Sequence, residues 1–372
     1  MDISVVGAGP AGCAAAAAAA GLGAKVAVYE EHEVVGQPVQ CSGIISKRGL
    51  DAMGLPYGKV CYNSLTGTDV HLPNGTSMKI RAGKTMAYVF DRAKYDVLAA
   101  DAAEKAGAKI MLGKRPKIGK LKGAIIGADG VTSDVAREFR FPPIKKYVFC
   151  YQEDLEGASV PDAEIVDVFV CNAILPGFFA WAIPLGKDRV RLGCGVGEHA
   201  NAKLALEKLV KKEKCLQDML DGSRKFDALG GVIPMHMREK TVKGRVMLVG
   251  DAAGQAKPTT GGGIYFGSMC GRIAGEVAAN AKNEGELLQY EKKWRKLYGR
   301  DLVLNRRIRE LANRLGDGEI CAYAGIARKL GAEAFLSKFG DMDSPTRMLG
   351  HVQKSPVLAK VYSAFASKFR LV

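Results

Sequence analysis

The sequence lacks long apolar runs. Nowhere do 18 apolar residues follow one another without a charge, so we predict no transmembrane helix. No basic leader precedes the first apolar segment, which argues against a cleaved signal peptide. The nine cysteines are scattered without a CxxC pair, a pattern that disfavours disulfide frameworks and zinc sites and favours a reducing, cytoplasmic setting. We therefore expect no metal centre.

Histidines and repeated motifs are scarce as well. Five histidines stand among 372 residues, no catalytic pair is evident, and His236 is interpreted as structural because its neighbours are apolar. One GxGxxG turn follows an apolar segment, so a second dinucleotide site, for a nicotinamide nucleotide, is not predicted. Without internal repeats or low-complexity linkers, the domains are expected to be interleaved rather than sequential.

Positive charge, by contrast, is in excess. The 54 Lys and Arg against 39 Asp and Glu give a net charge of +15, and residues 281–372 alone hold 18 against 10, a net +8. Such an excess suits an anionic partner: nucleic acid, an acidic lipid surface, a phosphorylated substrate or an acidic electron carrier. A well-solvated surface is the simpler alternative, and charge alone does not decide between them.

The first thirty residues have the order of a dinucleotide-binding βαβ unit: an apolar run at 3–6, a glycine turn, an alanine-rich segment and a second apolar run at 25–29. Gly7 allows a tight bend, Gly9 leaves room for a pyrophosphate, and Gly12 permits close helix–sheet packing. Glu30 follows Gly12 by 18 residues and is expected to accept hydrogen bonds from a ribose hydroxyl. A tightly packed helix without a ligand is the alternative explanation for the alanines.

Two later segments repeat the strand-into-turn pattern, and three loops are unusual in composition. The repeats are Gly127-Ala128-Asp129-Gly130, followed by Ser133, and Gly250-Asp251-Ala252-Ala253. The loops are residues 36–43, with Cys41; residues 176–184, Pro-Gly-Phe-Phe-Ala-Trp-Ala-Ile-Pro; and residues 258–264, Pro-Thr-Thr-Gly-Gly-Gly-Ile.

The three motifs, in this order and at these separations, resemble those of the FAD flavoproteins of the aromatic-hydroxylase superfamily. Within it, residues 176–184 resemble the PxxYxWxFP signature of the archaeal geranylgeranyl reductases, with Phe179 in place of Tyr and Ile183 in place of Phe. The loops 36–43 and 258–264 resemble that family too. The resemblance implies one FAD, bound by Gly7, Gly9, Ala11, Gly12, Glu30, Cys41, Ser42, Gly43, Arg92, Asp129, Asp251, Gly262, Gly263 and Ile264.

The same resemblance implies an α/β fold. A Rossmann-like FAD-binding domain (1–56, 88–140 and 241–285) is interleaved with an antiparallel-sheet substrate domain (57–87 and 141–240), and a helical C-terminal region (286–372) follows. Residues 88–105 are predicted as one helix with Ala93, Val97, Leu98 and Ala102 on one face, and residues 189–196 as a strand with two alternating faces. Exposed-looking aromatics are predicted near the C-terminus, at Phe335, Phe339, Tyr362, Phe365 and Phe369.

The resemblance further implies saturation of prenyl C=C bonds of geranylgeranyl lipids, in an apolar tunnel lined by Phe178, Phe179 and Trp181. The cofactor performs the difficult step, so few side-chain acids are needed. Cys41 is the candidate proton donor, with a small packing residue as the alternative. The implied partners are a prenyl lipid and a reduced electron donor (NAD(P)H, ferredoxin or another carrier), with no nucleic acid. The expected location is cytoplasmic, with peripheral contact to an anionic membrane.

Three other functions stay open on the sequence: a flavin monooxygenase of the same fold, an electron-transfer flavoprotein acting on quinone, and a prenyl-lipid carrier that keeps FAD structurally. The 176–184 signature and the Cys41 loop disfavour the monooxygenase. The quinone-linked group usually carries a cluster-binding cysteine set near its C-terminus, whereas here Cys321 is the one cysteine after Cys270.

Overall fold

The computed structural model describes residues 2–353. Within them the strands are β1 Ile3–Val6, β2 Val26–Tyr29, β3 Ile44–Ser46, β4 Cys61–Leu65, β5 Gly67–His71, β6 Ser77–Arg81, β7 Ala87–Phe90, β8 Lys109–Met111, β9 Ala124–Gly127, β10 Tyr147–Glu156, β11 Ile165–Phe169, β12 Ala180–Pro184, β13 Arg189–Gly197, β14 Arg224–Pro234, β15 Val242–Lys243 and β16 Val246–Leu248. The α-helices are α1 Pro10–Gly21, α2 Lys47–Met53, α3 Arg92–Lys105, α4 Asp134–Glu138, α5 Ala202–Lys212, α6 Lys214–Leu220, α7 Ile264–Asn280, α8 Leu288–Trp294, α9 Arg300–Ala312, α10 Asp317–Lys329, α11 Ala332–Phe339 and α12 Pro345–Gln353.

A six-stranded sheet forms the first layer, in the order β15-β16-β9-β1-β2-β8, parallel except for β15. The apolar strands β1 and β9 are buried along their whole length, as expected for central strands covered on both faces. Because parallel strands end at one edge of the sheet, the turns after β1, β2 and β9 meet there.

Helix α1 packs closely on α7 through small residues. A Cβ built on Gly271 would overlap the carbonyl oxygen of Ala11, and one on Gly275 would overlap that of Ala15. The alanine run therefore serves close helix packing, and it also leads out of the glycine turn.

The second layer is a seven-stranded sheet in the order β14-β10-β13-β12-β11-β5-β6, antiparallel except for the β5–β11 pair. Strand β13 alternates as predicted. Val190, Leu192, Cys194 and Val196 pack with α5 and α6 on one face. The opposite face is buried as well, because Gly193 lies under the Trp181 ring.

A small antiparallel sheet, β3-β7-β4, joins the two layers. The prediction of a helix from residue 88 is wrong at its start, since Ala87–Phe90 is strand β7 and α3 begins after Asp91, which caps it by accepting from the Lys94 N–H. The predicted helix face is wrong too: Val97 is exposed, and Tyr95 and Asp96 are buried. The β-prone residues Tyr88, Val89 and Phe90 pair with β3 and β4 instead of extending α3.

The predicted fold class, Rossmann-like with an antiparallel sheet and a helical C-terminal region, is confirmed. The domain boundaries stay a prediction; the small sheet draws strands from both predicted domains. In residues 2–353, none of the helices has both the length and the apolar character required to traverse a bilayer. Of the predicted C-terminal aromatics, Phe335 and Phe339 contact each other at 5.3 Å between ring centroids, whereas residues 362, 365 and 369 lie outside the described part.

Candidate nucleotide and substrate site

The glycine turn after β1 presents the N-terminus of α1 to open space. Gly7 has φ +100°, a conformation that favours glycine, and a Cβ there would overlap the Ala128 carbonyl oxygen. No side chain caps α1 at Gly9, and a Cβ built on Gly9 meets nothing within 4 Å. Pro10 has no N–H and the Cys13 N–H donates to the Gly9 carbonyl at 2.9 Å, so the N–H groups of Ala11 and Gly12 are the ones available to an anion.

Glu30 stands at the end of β2, beside this turn. Its Oε2 accepts from the Ala8 N–H at 2.8 Å, and its Oε1 accepts from the His32 N–H at 3.0 Å. The His32 ring nitrogen Nδ1 is 2.6 Å from the same Oε1. The carboxylate is therefore fixed in orientation next to the first turn, where a ribose hydroxyl would need an acceptor.

Asp129, in the second motif, is occupied by its own turn. The Ser133 hydroxyl donates to Oδ1 at 2.6 Å and the Val135 N–H donates to Oδ2 at 2.9 Å, while burial raises the Asp129 pKa. Its Cα lies 3.2 Å from the Cβ position of Gly7. This geometry suits a residue that supports the nucleotide turn; its role as a direct FAD contact stays a prediction.

Asp251, in the third motif, is half-buried, and its carboxylate accepts no hydrogen bond from the described residues. Burial raises its pKa to about 6, an effect that nearby Arg92 opposes. Its Oδ1 is 2.9 Å from the Cβ position of Gly263, so the carboxylate faces the loop that starts α7. Gly262, Gly263 and Ile264 are half-buried beside it. A free acceptor here suits a polyhydroxyl chain such as ribityl.

Arg92 is an internal residue rather than a surface arginine. Its Nη2 donates to both oxygens of Asp96, at 3.0 and 2.9 Å. Burial opposes the charge, but Asp96 and then Cys41 outweigh it and raise the pKa of Arg92 above its ordinary value. The Cβ position of Gly43 is 3.5 Å from the Arg92 side chain and 3.4 Å from Arg191 Nη1. The 36–43 loop thus rests on two guanidinium groups, and the Arg191 Nη1 donates to the Ser42 carbonyl at 2.7 Å.

The predicted substrate aromatics lie on the same face of the seven-stranded sheet that this loop contacts through Arg191 and Gly231. Phe178 stacks on Phe179 at 4.3 Å between centroids, and Phe179 meets Trp181 edge to face at 5.9 Å. The Cβ position of Gly195 is 2.6 Å from the Phe178 ring and 3.2 Å from Cys150 Sγ. Burial raises the pKa of Cys150 to about 12, and the Cys41 thiol lies close enough to contribute to that rise.

The 258–264 loop lies next to these aromatics. A Cβ on Gly261 would lie 3.3 Å from the Phe178 ring and 2.7 Å from Ile233. These neighbours connect into one nucleotide site: Gly250 of the third motif lies beside Ala11 of the nucleotide turn, Asp251 lies beside Gly263 and near the Arg92–Cys41 pair, and Gly261 lies beside Phe178.

The residues present fit FAD. The open α1 N-terminus suits a diphosphate, Glu30 a ribose, Asp251 a ribityl hydroxyl, and the 261–263 glycines a flat ring at close range.

Comparison with known proteins agrees with this geometry. Residues 2–95 match the family model described as glucose inhibited division protein A. Over 352 residues, 86% of this chain and 89% of the relative, the sequence is 33% identical to the digeranylgeranylglycerophospholipid reductase of Methanothrix thermoacetophila.

The chain belongs to the digeranylgeranylglycerophospholipid reductase family. Its fold matches a geranylgeranyl bacteriochlorophyll reductase-like protein from Thermoplasma acidophilum, with a TM-score of 0.80 and 23% identity over 98% of both chains. It also matches a flavin-dependent brominase, with a TM-score of 0.71 and 15% identity over 99% of both chains. At these identities the two likenesses concern the fold alone.

Several residues near the site were not predicted from the sequence. Arg191 forms a buried two-point ion pair with Asp154: Nε donates to Oδ1 at 2.7 Å and Nη2 to Oδ2 at 2.6 Å. Lys257 donates to Asp343 at 2.8 Å beneath the 258–264 loop. Arg309 packs on Phe178. No local pattern signals these partners, since they are distant in sequence.

A separate groove of about 880 Å³ runs along the outward face of α1, between α3 and α7. It exists because Ala14, Ala17 and Ala18 leave space there. None of the predicted site residues lines this groove, which is therefore separate from the nucleotide site.

Proposed function

We propose that this protein is an FAD-dependent reductase that saturates prenyl C=C bonds of geranylgeranyl lipids. The observation that carries the proposal is the contact between Gly261, in the glycine loop beside Asp251, and Phe178, the first aromatic of the 178–181 patch. An apolar chain that packs on these aromatics therefore lies next to the nucleotide site. The reductase name of the relative at 33% identity supports the same activity.

The chemistry requires hydride at one alkene carbon and a proton at the other. When bound, reduced FAD supplies the hydride. Phe178, Phe179 and Trp181 orient the chain and exclude water, which matters because an isolated alkene has no carbonyl for the protein to polarise. Cys41, whose thiol lies beside the Arg92 guanidinium, gives its proton to the second alkene carbon, and solvent then returns a proton to the sulfur.

The electron donor and the site of action complete the proposal. A reduced carrier, NAD(P)H, ferredoxin or another protein, reloads the cofactor. The chain acts in the cytoplasm and contacts an anionic membrane peripherally, because its net charge of +15 favours an acidic surface where prenyl lipids reside.

The decisive experiment uses dithionite-reduced holoenzyme under anaerobic conditions. Addition of a geranylgeranyl glycerophospholipid is expected to reoxidise the flavin, with a mass gain of two hydrogens per reduced double bond. Cys41→Ser is expected to retain FAD and lose most turnover, whereas Cys215→Ser, at an exposed position, serves as the matched control. A lipid of unchanged mass contradicts the proposal and favours a carrier, and an oxygenated product in air favours a monooxygenase.

A further inference from the structure

Helix α9 brings two arginines, Arg306 and Arg309, to the edge of the substrate aromatics. The Arg309 guanidinium carbon lies 4.7 Å from the Phe178 ring centroid and 5.5 Å from that of Phe179. Residues three apart on a helix share a face, so Arg306 is one turn away on the same side. Arg309 thus stands where the C-terminal helices, the sheet and the 258–264 loop meet.

Arg309 is a cation without an anion. Its Nε donates to the Pro258 carbonyl at 3.1 Å and its Nη2 to the Thr259 carbonyl at 2.7 Å. No carboxylate of the described residues pairs with it, and burial lowers its pKa to about 10. The two carbonyl bonds leave Nη1 with two N–H groups for another acceptor.

Arg306 adds a second donor with unused capacity. Its Nε is buried without a hydrogen-bond partner, and its Nη1 is 3.8 Å from Glu310, the carboxylate that also faces His236 Nε2 at 3.3 Å. Burial, Arg306 and Lys146 lower the pKa of His236. The local balance is therefore positive, with Glu310 shared among several groups.

We infer that Arg306 and Arg309 bind the phosphate or diphosphate group of an anionic prenyl lipid. Guanidinium groups match phosphate oxygens in paired hydrogen bonds, and a phosphate would supply the negative charge that Arg309 lacks. A prenyl chain leaving the phosphate then runs over Phe178 and Phe179 toward Trp181. This inference rests on the proposed function, and it adds that the enzyme selects its substrate by the anionic head as well as by the chain.

The test compares geranylgeranyl diphosphate with geranylgeraniol, which share the chain and differ in charge. Affinity is measured on the holoenzyme from the perturbation of flavin absorbance, and anaerobic reoxidation gives the rate. Arg309→Gln and Arg306→Gln are each expected to weaken diphosphate binding roughly tenfold or more and to change geranylgeraniol binding less than about twofold. Arg314→Gln, which removes an exposed charge from the segment just after α9, is the matched control.

Arg309 also holds the 258–264 loop, so FAD affinity is measured for every variant. Arg306→Gln makes no contact with that loop and keeps the test decisive if Arg309→Gln loses FAD. Equal weakening for both probes, or unchanged diphosphate binding in the two variants, would overturn the inference. Inorganic diphosphate is expected to compete with the lipid diphosphate but bind more weakly; binding as tight as the lipid would assign the site to free phosphate and overturn a lipid site.

Failure of the proposed function gives a different result. In that case neither prenyl probe reoxidises the reduced enzyme, while diphosphate binding and its loss in Arg306→Gln, followed by calorimetry, still decide whether the arginine pair is an anion site.

Discussion

At Asp251, the stability of the apo protein and the binding of the cofactor place opposite demands on one residue. It is half-buried beside Gly263 and its carboxylate accepts no hydrogen bond from the described residues, so burial penalises its charge. A donor from the cofactor would remove that penalty. The free-energy penalty of burying the charged carboxylate is therefore expected to lower the stability of the apo protein but not that of the holoenzyme.

We expect Asp251→Asn to stabilise the apo protein and weaken FAD binding. The pKa of Asp251 is raised to about 6, whereas an unfolded aspartate titrates near 3.9. The native state therefore holds the proton more tightly, and the wild-type free energy of unfolding falls as pH rises from about 4 to about 6 and stays reduced above. The variant avoids this loss, gaining up to about 3 kcal/mol near pH 7 and nothing below about pH 4.

Denaturation of the apo forms across this pH range, with Asp221→Asn as an exposed control, measures the effect. FAD affinity of Asp251→Asn is expected to fall about tenfold, because a charged acceptor becomes neutral. A pH-independent difference in stability would show that Asp251 does not titrate near 6, and unchanged FAD affinity would remove it from the site.

Trp181 provides the second test at residue scale. It is 8% exposed and its indole ring lies over Gly193. Trp181→Ala is expected to cost about 3–5 kcal/mol in unfolding free energy and to lower the rate of flavin reoxidation by prenyl lipid far more than FAD affinity. Phe149→Ala, which removes an exposed aromatic from β10, is the control. Equal losses of reoxidation and FAD binding would contradict a substrate role for Trp181.

At the scale of elements, the α1–α7 contact fixes the nucleotide turn to the rest of the fold. Gly267 and Gly271 sit where a Cβ would press on Gly250 and Ala11, residues that belong to the third and first motifs. The helix pair thus connects the two glycine turns. The two helices can approach this closely because glycine has no side chain at the points of contact.

Gly271→Ala is expected to destabilise the protein by about 1–3 kcal/mol, because the added methyl overlaps the Ala11 carbonyl and the helices must separate. Gly325→Ala is the matched control: it lies inside α10 with nothing within 4 Å of its Cβ position. Relief of glycine's conformational entropy there is expected to add about 0.5–1 kcal/mol. Urea unfolding of both variants decides, and equal effects of the two substitutions would show that α1 and α7 are not in close contact.

At the scale of the whole molecule, charge is the dominant feature. The net +8 of residues 281–372 accompanies described helices that carry many exposed lysines and arginines, and no bilayer-spanning helix is found among residues 2–353.

We expect the protein to sediment with vesicles that contain an anionic phospholipid and to be released as salt rises, since each lysine or arginine near an acidic surface contributes about 1 kcal/mol that ions screen. Vesicles of neutral phosphatidylcholine are the control. Binding to both vesicle types that persists at high salt would indicate hydrophobic insertion instead of electrostatic contact.

The candidate site could be predicted from sequence where its requirements are local. Gly7 and Gly9 belong to a turn only a few residues long, Glu30 directly follows β2, and Asp251 lies three residues after the end of β16, so spacing alone predicts their places. The alternation of β13 likewise follows from the two-residue period of a strand.

What only the tertiary structure decided depends on partners far apart in the chain. Residues 88–90 join β3 and β4 rather than α3, because these β-prone residues find strand partners elsewhere in the chain. Lys257 finds Asp343, whose pKa burial works to raise but Lys257 and Ser46 hold below its usual value. Arg309 comes to rest on Phe178 across 131 residues. Such contacts arise from the packing of whole layers, and no short stretch of sequence records which surfaces will meet.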